Sequence, residues 1–298
     1  MKFILQILSV LLLITYHAAA SDFQEELNIK AANSDPKVVM KFIKDSYARN
    51  NTNPAYYIAS ANFYWDLSQQ PYISSKPTAE GDFAVTDTKS SKEVGSISTT
   101  GLANPELPIR AVELLKEAFQ RFPNRVDIGI GLAYLYREEN DQKGCLSTLE
   151  TLLNNAATNP TQLRWKDGAE LPEAPNTFIP EQLQDYTAGF YQLENKEGDK
   201  YCRELCGLII KVYPDHPFAY NILAALSSDE KDNASCLRYL LIAHEKAPTD
   251  TLIIMNLADF YKRTGDKASA KKYYKLALVN SPPADTKEQA EQALKELN

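Results

Sequence analysis

The sequence contains few of the residues that catalytic and metal centres use most. Of its 298 residues only 3 are His, 4 are Cys and 11 are Gly. It has no Gly-rich phosphate-binding loop, no zinc-protease helix motif and no calcium-binding loop. Apart from His17 near the N-terminus, an imidazole-based site would have to use His216 or His244, which do not form a ligand-spaced pair. We therefore predict no catalytic residues, no metal and no cofactor.

Basic residues are also too few for a nucleic-acid-binding protein. The chain has 32 Lys and Arg residues against 39 Asp and Glu residues, a formal net charge of −7. Proteins that bind nucleic acid or anionic lipid ordinarily carry a basic patch or stripe. The charge balance therefore predicts no nucleic-acid partner.

Long apolar runs are missing after the N-terminus. Lys2 precedes a nearly continuous apolar stretch from Phe3 to Tyr16, and Ala18 and Ala20 stand in an A-x-A arrangement before Ser21. This order of segments is typical of a cleaved signal peptide, and the run is too short for a typical membrane span. We predict a signal peptide over 1–20, no membrane span after its removal, and a periplasmic or secreted protein.

Small, aromatic and turn-forming residues recur at a period of 34 positions. Small residues stand where two helices would touch, a turn separates the helices, and a Pro follows the second one. One such helical pair cannot bury its apolar face alone, so neighbouring pairs must stack. The last unit carries the pattern at Leu257, Ala258, Tyr261, Gly265, Ala270, Tyr274, Ala277 and Pro282, and the preceding unit at Tyr220, Leu223, Ala224, Cys236, Leu240, Ala243 and Pro248.

This pattern resembles the tetratricopeptide repeat (TPR). Fainter units precede the last two, and the resemblance covers about three quarters of the mature chain. It implies an all-α fold, a solenoid of helical hairpins, and a protein that binds another protein or peptide. We expect N-terminal helices and a first TPR-like unit over 21–123, and further TPR units with a C-terminal capping helix over 124–298.

Two insertions interrupt the repeat. In the first, at about 69–104, alternating apolar residues on either side of a polar turn predict a β-hairpin over 82–98. The second, at about 156–180, contains Trp165 and Phe178, and its composition favours an ordered loop. With these insertions the chain is similar to a group of exported TPR proteins of Gram-negative bacteria, which implies an envelope setting and no particular activity.

Four cysteines need an explanation in an exported protein. Cys145, Cys202 and Cys236 occupy small-residue positions of second helices, and Cys206 follows one turn after Cys202. We interpret all four as small buried apolar residues. Disulfides, or a metal site that includes Cys202 and Cys206, are the alternatives.

Candidate binding residues follow from the resemblance, because the first helix of each TPR unit lines the concave face on which partners lie. An ordinary polar helix face is the alternative reading of the same positions. Unit five has an Asn and nearby basic residues, but unit four lacks the Lys and Asn with which some TPR proteins grip a C-terminal carboxylate. The predicted partner-binding residues are Tyr134, Arg137, Tyr191, Phe218, Asn221, Asn256, Lys262 and Arg263.

Two other functions remain open at the level of sequence. Trp165 and Phe178 could stack on a sugar ring, which would make the chain a glycan or small-ligand binder. A hydrolase that uses His216 or His244 is the other alternative. The partner, the oligomeric state and the role of the two insertions do not follow from the sequence.

Overall fold

The computed structural model describes residues 22–74, 83–88, 90–98, 104–280 and 282–297. The predicted signal peptide lies outside this part of the chain. The described residues form thirteen α-helices and three β-strands. The helices are α1 (Asp22–Asn33), α2 (Pro36–Asn50), α3 (Pro54–Ser68), α4 (Glu106–Arg121), α5 (Val126–Glu138), α6 (Gln142–Thr158), α7 (Pro175–Gln192), α8 (Lys196–Val212), α9 (Pro217–Asp229), α10 (Asn233–Lys246), α11 (Thr251–Thr264), α12 (Lys267–Val279) and α13 (Ala284–Glu296), and the strands are β1 (Tyr72–Ser74), β2 (Phe83–Thr86) and β3 (Glu93–Ser98).

Successive helices pack in pairs, which confirms the predicted all-α TPR solenoid. Helix α3 packs against α4, α7 against α8, α9 against α10, and α11 against α12. Helices α9 and α11 begin 34 positions apart, at Pro217 and Thr251, and α10 and α12 begin 34 positions apart, at Asn233 and Lys267. The sequence period is therefore the period of the helical hairpins.

Side-chain caps fix where the C-terminal helices begin and end. The Asp250 carboxylate accepts hydrogen bonds from two backbone N–H groups at the start of α11, and Asp232 and Asp266 each accept one at the starts of α10 and α12. Helix α11 ends at Thr264, and its C-cap residue Gly265 has a φ of +87°, which suits a residue without Cβ. These caps satisfy backbone groups that a helix end leaves without partners inside the helix.

The small residues of the repeat lie in the core of the hairpins. Ala224, Ala258, Ala270 and Ala277 have no exposed surface, and Tyr274 packs among them. Cys145, Cys202, Cys206 and Cys236 are also fully buried and carry free thiols. Their burial confirms the interpretation of the cysteines as small core residues.

The chain divides into two compact units. Of the described residues, 22–148 and 161–170 belong to one, which we call the N-terminal unit. Residues 149–160 and 171–297 belong to the other, the C-terminal unit. Within the N-terminal unit, α5 packs against α4.

The first insertion forms a three-stranded antiparallel sheet in the order β1-β3-β2. Strands β2 and β3 are the predicted hairpin, with Phe83 opposite Ile97. Strand β1 was not predicted, because it is only three residues long and its partner β3 follows about twenty residues later. Ile73 of β1 stands opposite Ile97 on the other side of β3.

The second insertion is shorter than predicted. Helix α6 continues to Thr158 and α7 begins at Pro175, so the connection spans 159–174. The insertion was predicted to run to about residue 180, where Pro180 is locally unfavourable inside a helix. The helix instead begins with Pro175 in its first turn, where Pro is favourable, and tolerates Pro180.

Backbone hydrogen bonds join this connection to the segment at the start of α5. The backbone N–H of Val126 donates to the Arg164 carbonyl at 2.9 Å, and the Arg164 N–H donates to the Asn124 carbonyl at 2.8 Å. Next to this bridge, Arg125 and Asp127 form a buried ion pair at 2.7 Å. These contacts agree with the prediction of an ordered loop.

Candidate protein-binding surface

An aromatic cluster lies on helices α3 and α5 of the N-terminal unit. The Trp65 ring of α3 and the Tyr134 ring of α5 meet edge to face, with centroids 6.2 Å apart and an interplanar angle of 74°. The Arg137 guanidinium lies over the Tyr134 ring, 5.3 Å from its centroid. Trp65, Tyr134 and Arg137 are called the aromatic cluster below.

Helical spacing explains how α5 places two of these residues together. Tyr134 and Arg137 are three residues apart, so they are neighbours on one helix face. The Glu138 carboxylate lies 3.4 Å from the Arg137 Nε and forms an ion pair with the guanidinium. Partial burial, followed by the Glu138 charge, raises the pKa of Tyr134.

The cluster has the composition of a binding hot spot. Tyr134 is 38 % exposed although its ring is large, and Trp65 is half-buried. Trp, Tyr and Arg are the residue types that most often dominate protein–protein binding energy. Trp65 was not among the predicted residues, because α3 is apolar on nearly all sides and its tryptophan reads as a core residue.

Tyr191 in the C-terminal unit is tied to the next hairpin. Its hydroxyl donates to the Asp229 Oδ2 at 2.6 Å. Burial, with this hydrogen bond, raises the pKa of Tyr191. Phe218, at the start of α9, is half-buried. Both side chains therefore retain some exposed surface, but the polar tip of Tyr191 already has a partner.

The two predicted asparagines bond to each other. The Asn256 Nδ2 donates to the Asn221 Oδ1 at 2.9 Å, and the residues are 6 % and 4 % exposed. We expected both amides to be available to a peptide backbone, and this pairing differs from that expectation. Their positions on the first helices α9 and α11, 35 residues apart, bring them face to face.

The predicted basic residues at the end of α11 are also engaged. The Lys262 Nζ lies 2.6 Å from the Glu296 carboxylate of α13. Arg263 donates to the Asn233 Oδ1 at 2.9 Å and lies over the Phe260 ring. Neither side chain is therefore poised to grip a partner's carboxylate, which agrees with the incomplete clamp in the sequence.

A groove lies between α11 and α13 in the same unit, and we call it the α11–α13 groove. Its volume is about 420 Å³. Asp259 is half-buried in it and accepts a hydrogen bond from the Tyr274 hydroxyl. Burial raises the pKa of Asp259. The lining residues are Met255, Asp259, Lys262, Tyr274, Asp285, Glu288, Gln289, Gln292, Ala293 and Glu296.

The proposed pair of sugar-stacking residues is not supported by the structure. Phe178 is 8 % exposed and lies in α7, where its ring is part of the core. In this conformation the buried Phe178 ring presents little surface on which a sugar could stack. Trp165 is half-buried in the N-terminal unit, with the Lys166 Nζ 5.6 Å from its ring centroid.

Both histidines of the C-terminal unit hold a buried ring nitrogen. The Nδ1 atoms of His216 and His244 have no hydrogen-bond partner, so no carboxylate orients either ring through that atom. Burial lowers the pKa of both residues, and Lys272 lowers that of His244 further. Over the described ranges, no three His, Cys, Asp or Glu side chains converge on a possible metal position.

No model of a known protein family matches the chain. Solved structures with a similar fold include YrrB, a TPR protein with an unusual peptide-binding site, at 12 % identity and a TM-score of 0.42, covering 84 % of this chain and 97 % of that one. PilW, a widely conserved type IV pilus biogenesis factor, matches at 12 % identity and a TM-score of 0.39, covering 92 % and 99 %. TTC0263, a TPR protein of Thermus thermophilus, matches at 18 % identity and a TM-score of 0.38, covering 63 % and 91 %.

The 34-residue helical hairpins give this protein the architecture of a TPR protein. Stacked repeats of this kind form extended surfaces. Within the part of the chain that the structure describes, no helix is both long enough and apolar enough to cross a membrane.

Proposed function

We propose that this protein is an exported, non-enzymatic scaffold that binds a polypeptide segment of a partner protein on the face formed by the first helices of its hairpins. In the TPR family that face is the concave one. The observation that carries the proposal is the aromatic cluster of Trp65, Tyr134 and Arg137, because it combines partly exposed aromatic rings with a guanidinium group.

The shape of the cluster favours a polypeptide, whose side chains protrude, over a partner with a flat surface. Two rings at 74° form a corner, and a corner can hold a side chain against two apolar surfaces at once. Arg137 and the Tyr134 hydroxyl supply hydrogen-bond donors beside the corner, which a backbone carbonyl could accept. Rigid aromatic residues add contact area with little loss of side-chain entropy on binding.

The predicted contacts of the C-terminal unit take a smaller part in this proposal. Tyr191, Asn256, Lys262 and Arg263 already bond to other residues of the chain. A partner that bonds them has to displace these contacts, whereas Tyr134 is 38 % exposed even with Trp65 and Arg137 against its ring. We therefore place the main polypeptide contact of the first-helix face in the N-terminal unit.

The test is co-purification from the native host with matched variants. Tyr134→Ala/Arg137→Ala removes two members of the cluster. Arg238→Ala/Leu241→Ala is the control, since Arg238 also lies over a tyrosine ring, at 4.6 Å, and Leu241 is 42 % exposed, but both belong to the second helix α10. We expect the partner to be lost only with the first variant. Equal recovery with both variants would contradict the proposal.

Export is the second part of the proposal and rests on the sequence of residues 1–20. The N-terminal sequence of the protein purified from its host tests this part separately. We expect it to begin at Ser21, and an intact Met1 on the purified protein would overturn it.

A further inference from the structure

Helix α12 carries a row of lysines on its solvent-facing side. Its sequence, KASAKKYYKLALV, has four Lys and no Asp or Glu. Lys267, Lys271 and Lys275 follow each other at intervals of four residues, so they are neighbours on the helix surface, about 6 Å apart along its axis. Lys272 lies beside them, and all but the half-buried Lys271 are exposed. These four residues are called the α12 lysine row below.

The amines of the row are not neutralised within the described part of the chain. Lysines of six other helices (α1, α2, α8, α10, α11 and α13) pair with carboxylates, as Lys246 does with Asp215 at 2.6 Å. Among the described residues, no amine of the row has such a partner. Asp266, the residue before Lys267, uses its carboxylate to cap α12 by bonding Ser269. The row therefore presents its positive charge to solvent.

An exposed apolar residue continues the row at the end of the helix. Val279 comes four residues after Lys275 and is 79 % exposed, more than any other large hydrophobic side chain that the structure describes. A valine with that exposure contributes little to the core. Lysines next to exposed apolar residues are typical of helix faces that lie on a membrane surface, where the apolar residues enter the headgroup region.

The chemistry of the row suits a surface of many anions better than one fixed acceptor. Lysine is a hydrated point charge and lacks the planar fork with which Arg holds a single carboxylate or phosphate in a set geometry. Four such charges on the outward side of one helix can meet a flat surface along their length. From Lys267 to Val279 this length is about 18 Å. The headgroups of a bilayer with anionic phospholipids form such a surface.

The overall acidity of the chain does not prevent this contact. Its formal charge is −7, but salt screens exposed charges beyond about 10 Å at 0.1 M ionic strength, so the charges near the contact count most. The charge of Lys272 also reaches α10, where burial and then this lysine lower the pKa of His244. A local basic stripe is what proteins that bind anionic lipid ordinarily carry.

We propose that the α12 lysine row and Val279 attach this protein to the surface of a bilayer that contains anionic phospholipids, with the lysine amines at the lipid phosphates and Val279 in the headgroup region. Helix α12 is the second helix of its hairpin, so this surface differs from the first-helix face on which the partner protein is proposed to bind. The attachment is peripheral, and it does not rest on the proposed function.

The test is vesicle flotation of the protein purified from its host. Vesicles of phosphatidylglycerol and phosphatidylcholine in equal amounts are compared with vesicles of phosphatidylcholine alone at low ionic strength. We expect binding to the anionic vesicles, with a partition coefficient that falls as salt is added, and little binding to the neutral ones. Equal binding to both kinds of vesicle, or binding to neither, would overturn the proposal.

Two matched variants separate the row from the total charge of the chain. Lys272→Gln/Lys275→Gln removes two exposed charges of the row, and Lys37→Gln/Lys44→Gln removes two exposed charges of α2. We expect the first to lower the partition coefficient roughly 25-fold, about fivefold for each lysine, and the second to change it little. Lys272→Arg/Lys275→Arg keeps both charges and should bind as the native protein does. Equal losses in the two Gln variants would overturn the proposal.

Three further measurements identify the anion and the part taken by Val279. Inorganic phosphate should release the protein from the vesicles no better than chloride at the same ionic strength, and preferential release by phosphate would indicate a free anion as the ligand. Tighter binding to polyglutamate than to the vesicles, with the same loss in Lys272→Gln/Lys275→Gln, would overturn the proposal in favour of an acidic polypeptide. Val279→Ser should lower the partition coefficient about two- to tenfold, and an unchanged value would contradict the insertion of this side chain.

Discussion

The buried ion pair between Arg125 and Asp127 allows a prediction whose size follows from the structure. The Arg125 Nε donates to the Asp127 Oδ1 at 2.8 Å, and a second guanidinium nitrogen donates to Oδ2 at 2.7 Å. The two side chains are only 8 % and 6 % exposed. Asp127→Ala removes the carboxylate and leaves the guanidinium in the interior without it, so we expect a loss of about 3–5 kcal/mol in the free energy of unfolding.

An exposed pair of nearly equal length provides the control. Arg110 and Glu113 lie 2.8 Å apart on α4, but their side chains are 52 % and 57 % exposed. Water screens this pair, so Glu113→Ala should change the stability by at most about 1 kcal/mol. The two pairs have nearly the same length but differ in burial and in geometry, since the buried pair has two hydrogen bonds and the exposed pair has one.

Tryptophan fluorescence can follow the N-terminal unit by itself during chemical denaturation. The chain has two tryptophans, Trp65 and Trp165, and both belong to that unit. The midpoint and slope of the transition give the free energy of unfolding. A loss below about 1 kcal/mol for Asp127→Ala, or one equal to that of Glu113→Ala, would refute the argument that burial makes this pair important.

Three more predictions concern the C-terminal unit and the thiols. Asn221→Ala should lower the free energy of unfolding by about 1–3 kcal/mol, because it leaves the Asn256 amide buried without its acceptor. In a double-mutant cycle with Asn256→Ala, measured by urea denaturation, strictly additive losses would contradict the pairing. Burial lowers the folded-state pKa of His216 and His244, so the stability that they contribute is complete above the unfolded pKa of about 6.5 and is lost as the pH falls below that value. Between about pH 8 and pH 5 the melting temperature should therefore drop less in a variant with Gln at both positions. The same pH profile in the variant and the native protein would contradict this prediction. Burial raises the pKa of Cys236 to about 11, and all four cysteines are buried, so Ellman's reagent should label the thiols only after unfolding; rapid labelling of the native protein would be inconsistent with the packing.

The repeat itself was predictable because its signals are local. Ala258, Ala270 and Ala277 mark where helices touch, Asp250 caps a helix start, and Gly265 ends a helix in a left-handed conformation. Each of these residues acts within its own hairpin, so a period of 34 positions is visible without knowledge of the fold. The β2–β3 hairpin was predictable for the same reason, since its alternation and turn are contiguous in the chain.

The features that sequence reasoning missed depend on distant partners or on conflicting local signals. Strand β1 is three residues long and is stabilised only by β3, which follows much later. The start of α7 was misplaced because Pro180 indicates a helix boundary, and with it Phe178 was assigned to a loop although it is a core residue.

The candidate site was only partly visible in the sequence. Tyr134 and Arg137 were identified because the TPR resemblance assigns their helix face to binding. Trp65 was missed, since a tryptophan in a helix that is apolar all round gives no sign that it is exposed. The mutual bond of Asn221 and Asn256 joins helices 35 residues apart, and only the packed structure brings their amides together.

The most direct test of the account is site-specific photo-crosslinking in the native host, with a photoreactive phenylalanine derivative in place of Tyr134 or, as a control, of Leu241. Both positions are exposed to a similar extent, at 38 % and 42 %, but only Tyr134 belongs to the aromatic cluster. The account predicts a discrete crosslinked protein from position 134 that is lost when Trp65 is also changed to Ala, and none from position 241. Crosslinks that are absent at 134, or the same at both positions, would contradict the claim that the first-helix face of the N-terminal unit binds a partner protein.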